Sequence, residues 1–168
     1  KTKKALGFFA NRFNCSQSVL IAFAGDYGLG EHTALKVACA FGAGMARAQD
    51  TCGAVTGAYM VLGLRHGKYL AEDETGKELT YAKARGFTAS FVRLHGSTNC
   101  RNLIGVDIST PEGLQRAHDS GVDVERRRSP GSVVVFGDSI GDGNKVVSGH
   151  HNAQGDGNLI GNGNAVGT

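Results

Sequence analysis

Three cysteines, Cys15, Cys52 and Cys100, stand far apart along the chain, and the middle one opens the run Cys52-Gly53-Ala54-Val55-Thr56-Gly57. Thiols spaced this widely cannot make a local clip such as CxxC. They share chemistry only if the fold gathers three separate segments at one place. A chain of 168 residues with 40% hydrophobic content is sufficient for one core-bearing domain that could do so. Glycine is in excess, and ten of the 26 glycines follow Pro130. The expected organisation is therefore a cysteine-motif domain over 1–126 and a Gly/Asn-rich tail over 127–168.

The first part reads as helices. Leu6, Phe9 and Phe13 recur at helical spacing from Lys3, with Asn14 as a breaker. Cys15 falls just inside a second helix that carries Val19, Leu20 and Phe23 and ends near Gly28. A third, from Glu31 or His32, carries Leu35, Ala38, Cys39 and Phe41. A fourth starts near Thr51, with Asp50 or Thr51 as N-cap, and runs through Val55, Tyr59 and Leu62 toward Gly67. After a polar connector, a fifth is predicted from about Leu79 to His95, with Tyr81, Phe87, Phe91 and Leu94 on or near one face. A short helical turn after Thr98 holds Cys100, Leu103 and Ile104. Ser109-Thr110-Pro111-Glu112 has the form of an N-cap followed by Pro at the first helical position. The expected fold class is all-α, a compact domain of about six helices, with a tail that is either disordered or a short β-solenoid or β-arch.

Several function classes lose support from composition. The net charge of +3 rests on modest imbalance and on two short clusters, Lys1, Lys3, Lys4 and Arg126, Arg127, Arg128. No aromatic residues are interleaved with the arginines, so nucleic acid is not an expected partner. No apolar stretch approaches the roughly 18 residues of a membrane-spanning helix, and the cytoplasm is the expected compartment. Four cysteines are too few for a secreted disulfide scaffold. Neither a Ser-His-Asp order nor a paired-carboxylate pattern stands out, and Gly25 to Gly30 lacks phosphate-loop spacing.

Small residues cluster at Gly42, Ala43, Gly44 and again at Gly53, Ala54, Gly57 and Gly63. Glycine inside a helix costs about 1 kcal/mol against alanine, so its repeated use points to backbones in close approach or to a ligand that needs the room. At a helix N-terminus Cys52 would meet the positive end of the macrodipole, which favours a thiolate for nucleophilic attack or metal ligation. Cys39, between two alanines on a helical segment, reads as a core residue. Tyr59 and Tyr81 read the same way. His66 and His95 read as C-terminal dipole partners of their helices.

Four runs carry a family resemblance: Phe13-Asn14-Cys15-Ser16-Gln17-Ser18-Val19, Ala40-Phe41-Gly42-Ala43-Gly44-Met45, Cys52 to Ala58 leading into Val61-Leu62-Gly63-Leu64, and Gly96-Ser97-Thr98-Asn99-Cys100 with Leu103-Ile104-Gly105. In this order they resemble the C_GCxxG_C_C family of redox-active proteins over residues 5–124. The resemblance implies reactive thiols or an iron-sulfur cluster, with Cys15, Cys52 and Cys100 as catalytic residues or metal ligands and Gly53 and Gly57 beside the cofactor. The family's fourth cysteine is absent from the stretch Gly121 to Arg126.

Both chemistries remain open from the residues. A [2Fe-2S] cluster ordinarily takes four protein ligands, and His95, His118, Cys39 or a second subunit in a homo-oligomer could complete the set. Thiol-disulfide exchange needs only two sulfurs within disulfide reach, with Cα atoms less than about 7 Å apart. The redox partner is unidentified. The competing reading places the function in the tail, where Gly141-Asp142-Gly143-Asn144, Gly155-Asp156-Gly157-Asn158 and Gly161-Asn162-Gly163-Asn164 form a degenerate repeat. Repeats of this kind suit stacked turns with asparagine ladders, and they weakly resemble bacterial amyloid signalling motifs. The helical domain would then be cargo or effector.

Overall fold

Asn14 begins the helix around which the others assemble. Its side chain accepts from Gln17 N while Gln17 Oε1 accepts from Asn14 N, a reciprocal capping box that satisfies two otherwise orphaned amides. In the computed structural model, which describes residues 1–119, this helix is α2, Cys15–Ala24. Ser16 and every residue from Ser18 to Ala24 are buried. A helix apolar all round must be enclosed, and α1 (Thr2–Ala10), α3 (Glu31–Ala38) and α4 (Gly53–His66) pack around it. The remaining helices are α5 (Glu74–His95), α6 (Cys100–Ile104) and α7 (Pro111–Asp119), and the described residues contain no strand. The fold is all-α, as its periodicity predicts.

Val19, Leu20, Ile21 and Phe23 of α2, Val55, Ala58 and Val61 of α4 and Phe91 of α5 form one core. Gly57 lets α2 and α4 close on each other, since a Cβ there would stand 2.9 Å from both Ser16 O and Val19 Cβ. The expected N-cap at Thr110 is present, its Oγ1 accepting from Gly113 N at 3.1 Å.

Boundaries and faces differ from expectation in several places. α1 stops at Ala10, and its buried residue is Ala5, while Leu6 is exposed. α5 begins at Glu74, because Asp73 caps it by accepting from Gly76 N. Tyr81 and Leu94 are exposed rather than core, since α5 packs on α4 along one edge only and Phe91 is its one buried residue. Tyr59 is partly exposed, with its hydroxyl hydrogen-bonded to Thr88 Oγ1. Cys39 is also exposed. α3 ends at Ala38 and tightens into a 3-10 turn over Cys39–Phe41, and Cys39 lies off the inward row of Ala34 and Ala38. The boundary near residue 126, the Gly/Asn-rich tail with its repeat, and the side chain of His118 lie outside the described residues.

Candidate functional site: a buried thiol pair

Cys15 is the first residue of α2 and Cys52 is the N-cap of α4. The two helices start side by side because Gly53 has no side chain: a Cβ there would overlap Cys15 Sγ and stand 3.0 Å from both Gly42 Cα and Ser16 N. Thr56 secures the same junction. Its buried hydroxyl lies 3.0 Å from Phe41 O, 3.2 Å from Gly53 O and 3.4 Å from Ser16 Oγ. Asn14 adds another tie, donating from Nδ2 to Cys39 O at 2.8 Å.

Cys100 arrives by a different device. Thr51 and Asn99 form an isolated antiparallel bridge, with Cys52 N donating to Thr98 O at 2.8 Å and Cys100 N donating to Asp50 O at 2.6 Å. Two backbone bonds thus bring the residues before α4 beside those before α6. Cys52 and Cys100 are buried and Cys15 is partly exposed; all three are free thiols.

The floor of the site is the loop between the 3-10 turn and Cys52, with an unusual backbone. Ala43, Gly44, Met45, Ala46 and Arg47 all have positive φ, between 54° and 70°, and Gln49 follows at 59°. Ala46 N donates back to Gly42 O at 3.0 Å, making a turn of left-handed helix. Each L-residue in this region costs roughly 1–2 kcal/mol, so the turn persists only because its surroundings impose it. Gly44 is packed closely as well: a Cβ there would lie 2.6 Å from Cys100 Cβ and 2.7 Å from Gln49 Cα.

The electrostatics separate the three sulfurs. The Cys52 thiol donates to Cys15, and that bond, opposed by burial and assisted by the backbone amides of Ala43, Ser16 and Cys15 itself, lowers the Cys15 pKa to about 7. Cys52 is pushed up, first by giving its proton to that bond, then by burial and by the negative charge of Cys15. Burial, with the charge of Cys15, pushes Cys100 up to about 12. Of the pair, Cys15 is shifted down and Cys52, the thiolate expected from its helix N-terminus, is shifted up. As an N-cap residue Cys52 has one favourable amide, that of Ala54, whereas Cys15 at the first helical position receives three.

Among the described residues the donor set does not complete an iron-sulfur site. A cluster wants four ligands, and among the described residues no group of three or more His, Cys, Asp or Glu side chains is arranged to hold a metal ion. Cys39 is exposed on its 3-10 turn, and His95 packs against the Phe91 ring at 4.7 Å. Gly53 and Gly57, expected beside a cofactor, both face α2 at close range.

Among the described residues the helices and thiols define a small all-α domain whose distinguishing feature is two cysteines at adjoining helix starts, with a third nearby. The model of the family described as "Putative redox-active protein (C_GCAxxG_C_C)" matches residues 13–129, and the chain belongs to that family. No curated protein and no solved structure matches it. Among the described residues no helix is long and apolar enough to cross a membrane.

Sequence reasoning found the three cysteines and the glycines around them. It missed the roles of Ala43, Gln49 and Thr56. The Gly42-Ala43-Gly44 run hinted at a close approach, but nothing in the pattern marks Gln49, a single polar residue in a polar stretch.

Proposed function

We propose that the protein is a dithiol redox protein in which Cys15 attacks and Cys52 resolves. What supports this reading is the meeting of Cys15 and Cys52 at two adjoining helix starts, so close that a Cβ on Gly53 would overlap Cys15 Sγ, with Cys15 lowered and Cys52 raised in pKa by their mutual interaction. The Cys15 thiolate attacks one sulfur of a substrate disulfide, forms a mixed disulfide and expels the other substrate sulfur as a thiolate. Cys52 passes its proton to that leaving sulfur. Its own sulfur, now a thiolate, then attacks Cys15 Sγ, closing a Cys15–Cys52 disulfide and releasing the second substrate sulfur as a thiolate. Two electrons pass to the substrate, and an external dithiol returns the protein to its reduced form.

The test is equilibration of anaerobically purified protein with glutathione redox buffer, followed by peptide mapping. A Cys15–Cys52 disulfide should accumulate, and Cys52→Ser should stop at a mixed disulfide on Cys15. Stoichiometric iron and sulfide in the protein as isolated, lost in Cys52→Ser, would overturn the dithiol reading in favour of a cluster.

A further inference from the structure

Gln49 is 2% exposed, yet its side chain is an uncharged amide facing away from any solvent that could satisfy it. Both of its polar ends are used on one distant segment: Nε2 donates to Val106 O at 2.6 Å and Oε1 accepts from Ile108 N at 3.0 Å. Its backbone carbonyl accepts from Arg101 N at 3.3 Å, next to Cys100. Its Cα sits against Gly44, in the left-handed turn that carries the Ala43 amide to Cys15. Such a turn does not hold its shape alone, and Gln49 is the buried side chain that ties its far end to the rest of the fold.

We propose that Gln49 is a positioning residue for the thiol pair: its amide pins the left-handed turn over 43–47 to the segment 106–108 and so keeps the Ala43 amide on Cys15. Its importance for catalysis rests on the dithiol reading; its effect on Cys15 does not. The residue type follows from the partners. One carbonyl and one N–H on the same segment need a side chain that donates and accepts at a fixed spacing. Glutamate cannot donate when ionised, asparagine is one carbon shorter, and methionine fills the volume with neither function.

The test measures iodoacetamide alkylation of the reduced full chain at pH 7, with rates at Cys15 and Cys39 resolved by peptide mapping. Cys39 is exposed and serves as the reference inside each sample. In Gln49→Met the Cys15-to-Cys39 rate ratio should fall about fivefold, as expected when a thiolate loses one amide hydrogen bond and its ionisation moves up by about one pH unit. Gln49→Asn should lower it too, even though asparagine tolerates a positive φ better than glutamine; this second variant covers a failure of the first to fold. Phe91→Leu, a core change on α5, should lower the melting temperature and leave the ratio where it was. An unchanged ratio in both Gln49 variants overturns the proposal, and so does a rise, which is what a merely loosened wall around Cys15 would give. Because the ratio is read on reduced protein, failure of the Cys15–Cys52 disulfide to form would sink the dithiol reading without touching this result.

Discussion

Replacing Gly53 by alanine separates two opposing effects of the same methyl group. At an open helical position the change stabilises, because alanine is favoured over glycine by about 1 kcal/mol. At Gly53 the new Cβ would overlap Cys15 Sγ and stand 3.0 Å from Gly42 Cα and Ser16 N. Two of those neighbours are backbone and cannot rotate away, so relief requires α2 and α4 to separate or Cys15 to swing off Cys52. Overpacking of this kind costs roughly 1–3 kcal/mol. Gly63, ten positions on in the same helix, has nothing within 4 Å of its would-be Cβ and serves as the control. Gly63→Ala should melt higher than wild type and Gly53→Ala lower, the two differing by roughly 2–4 kcal/mol. At about 4 °C per kcal/mol for a domain of this size, that is on the order of 10 °C by circular dichroism under reducing conditions. The yield of Cys15–Cys52 disulfide in glutathione buffer should fall in Gly53→Ala and stay unchanged in Gly63→Ala. Equal melting temperatures, or full disulfide yield in Gly53→Ala, would refute the close-approach role assigned to Gly53.

Stability should depend on pH through the thiols. The Cys15 pKa is lowered from 9.0 to about 7, so its contribution is complete above the unfolded value and is lost as pH falls through 7. The melting advantage of wild type over Cys15→Ser should therefore grow as pH is raised from 7 to 9, and a flat difference would count against the assignment. Cys52 and Cys100 are raised, so each destabilises the fold once pH passes the unfolded value of 9.0. Melting of wild type against Cys100→Ser above that pH checks the sign. Asn14→Ala removes the capping box and the bond to Cys39 O, and should cost roughly 1–2 kcal/mol in denaturant unfolding. Thr56→Val leaves Phe41 O without its hydroxyl donor and should cost about 1–2 kcal/mol by the same measurement.

Much of the helical architecture is legible because its signals are local. The Pro111 helix start and the short turn at Cys100 follow from capping residues within a few positions of each boundary. Cys39 shows where such reasoning stops. Its flanking alanines read as an apolar helical segment, but which side of such a segment faces inward depends on what the helix packs against, and here the 3-10 turn leaves the thiol exposed. Tyr81 is misplaced for a related reason: periodicity on α5 shows an apolar face without saying how much of it a neighbour covers.

Residue types and their spacing were enough to specify an all-α fold for the described residues, to single out Cys15, Cys52 and Cys100, and to mark Gly53 as a point where something comes close. Which of the paired thiols is the more acidic depends on long-range geometry. An amide from Ala43, in a left-handed turn held by Gln49, reaches Cys15, while Cys52 caps its own helix and gives its proton away. A thiol's acidity depends on the dipoles and protons within a few ångströms of its sulfur, and those come from segments that are distant along the chain until folding places them together.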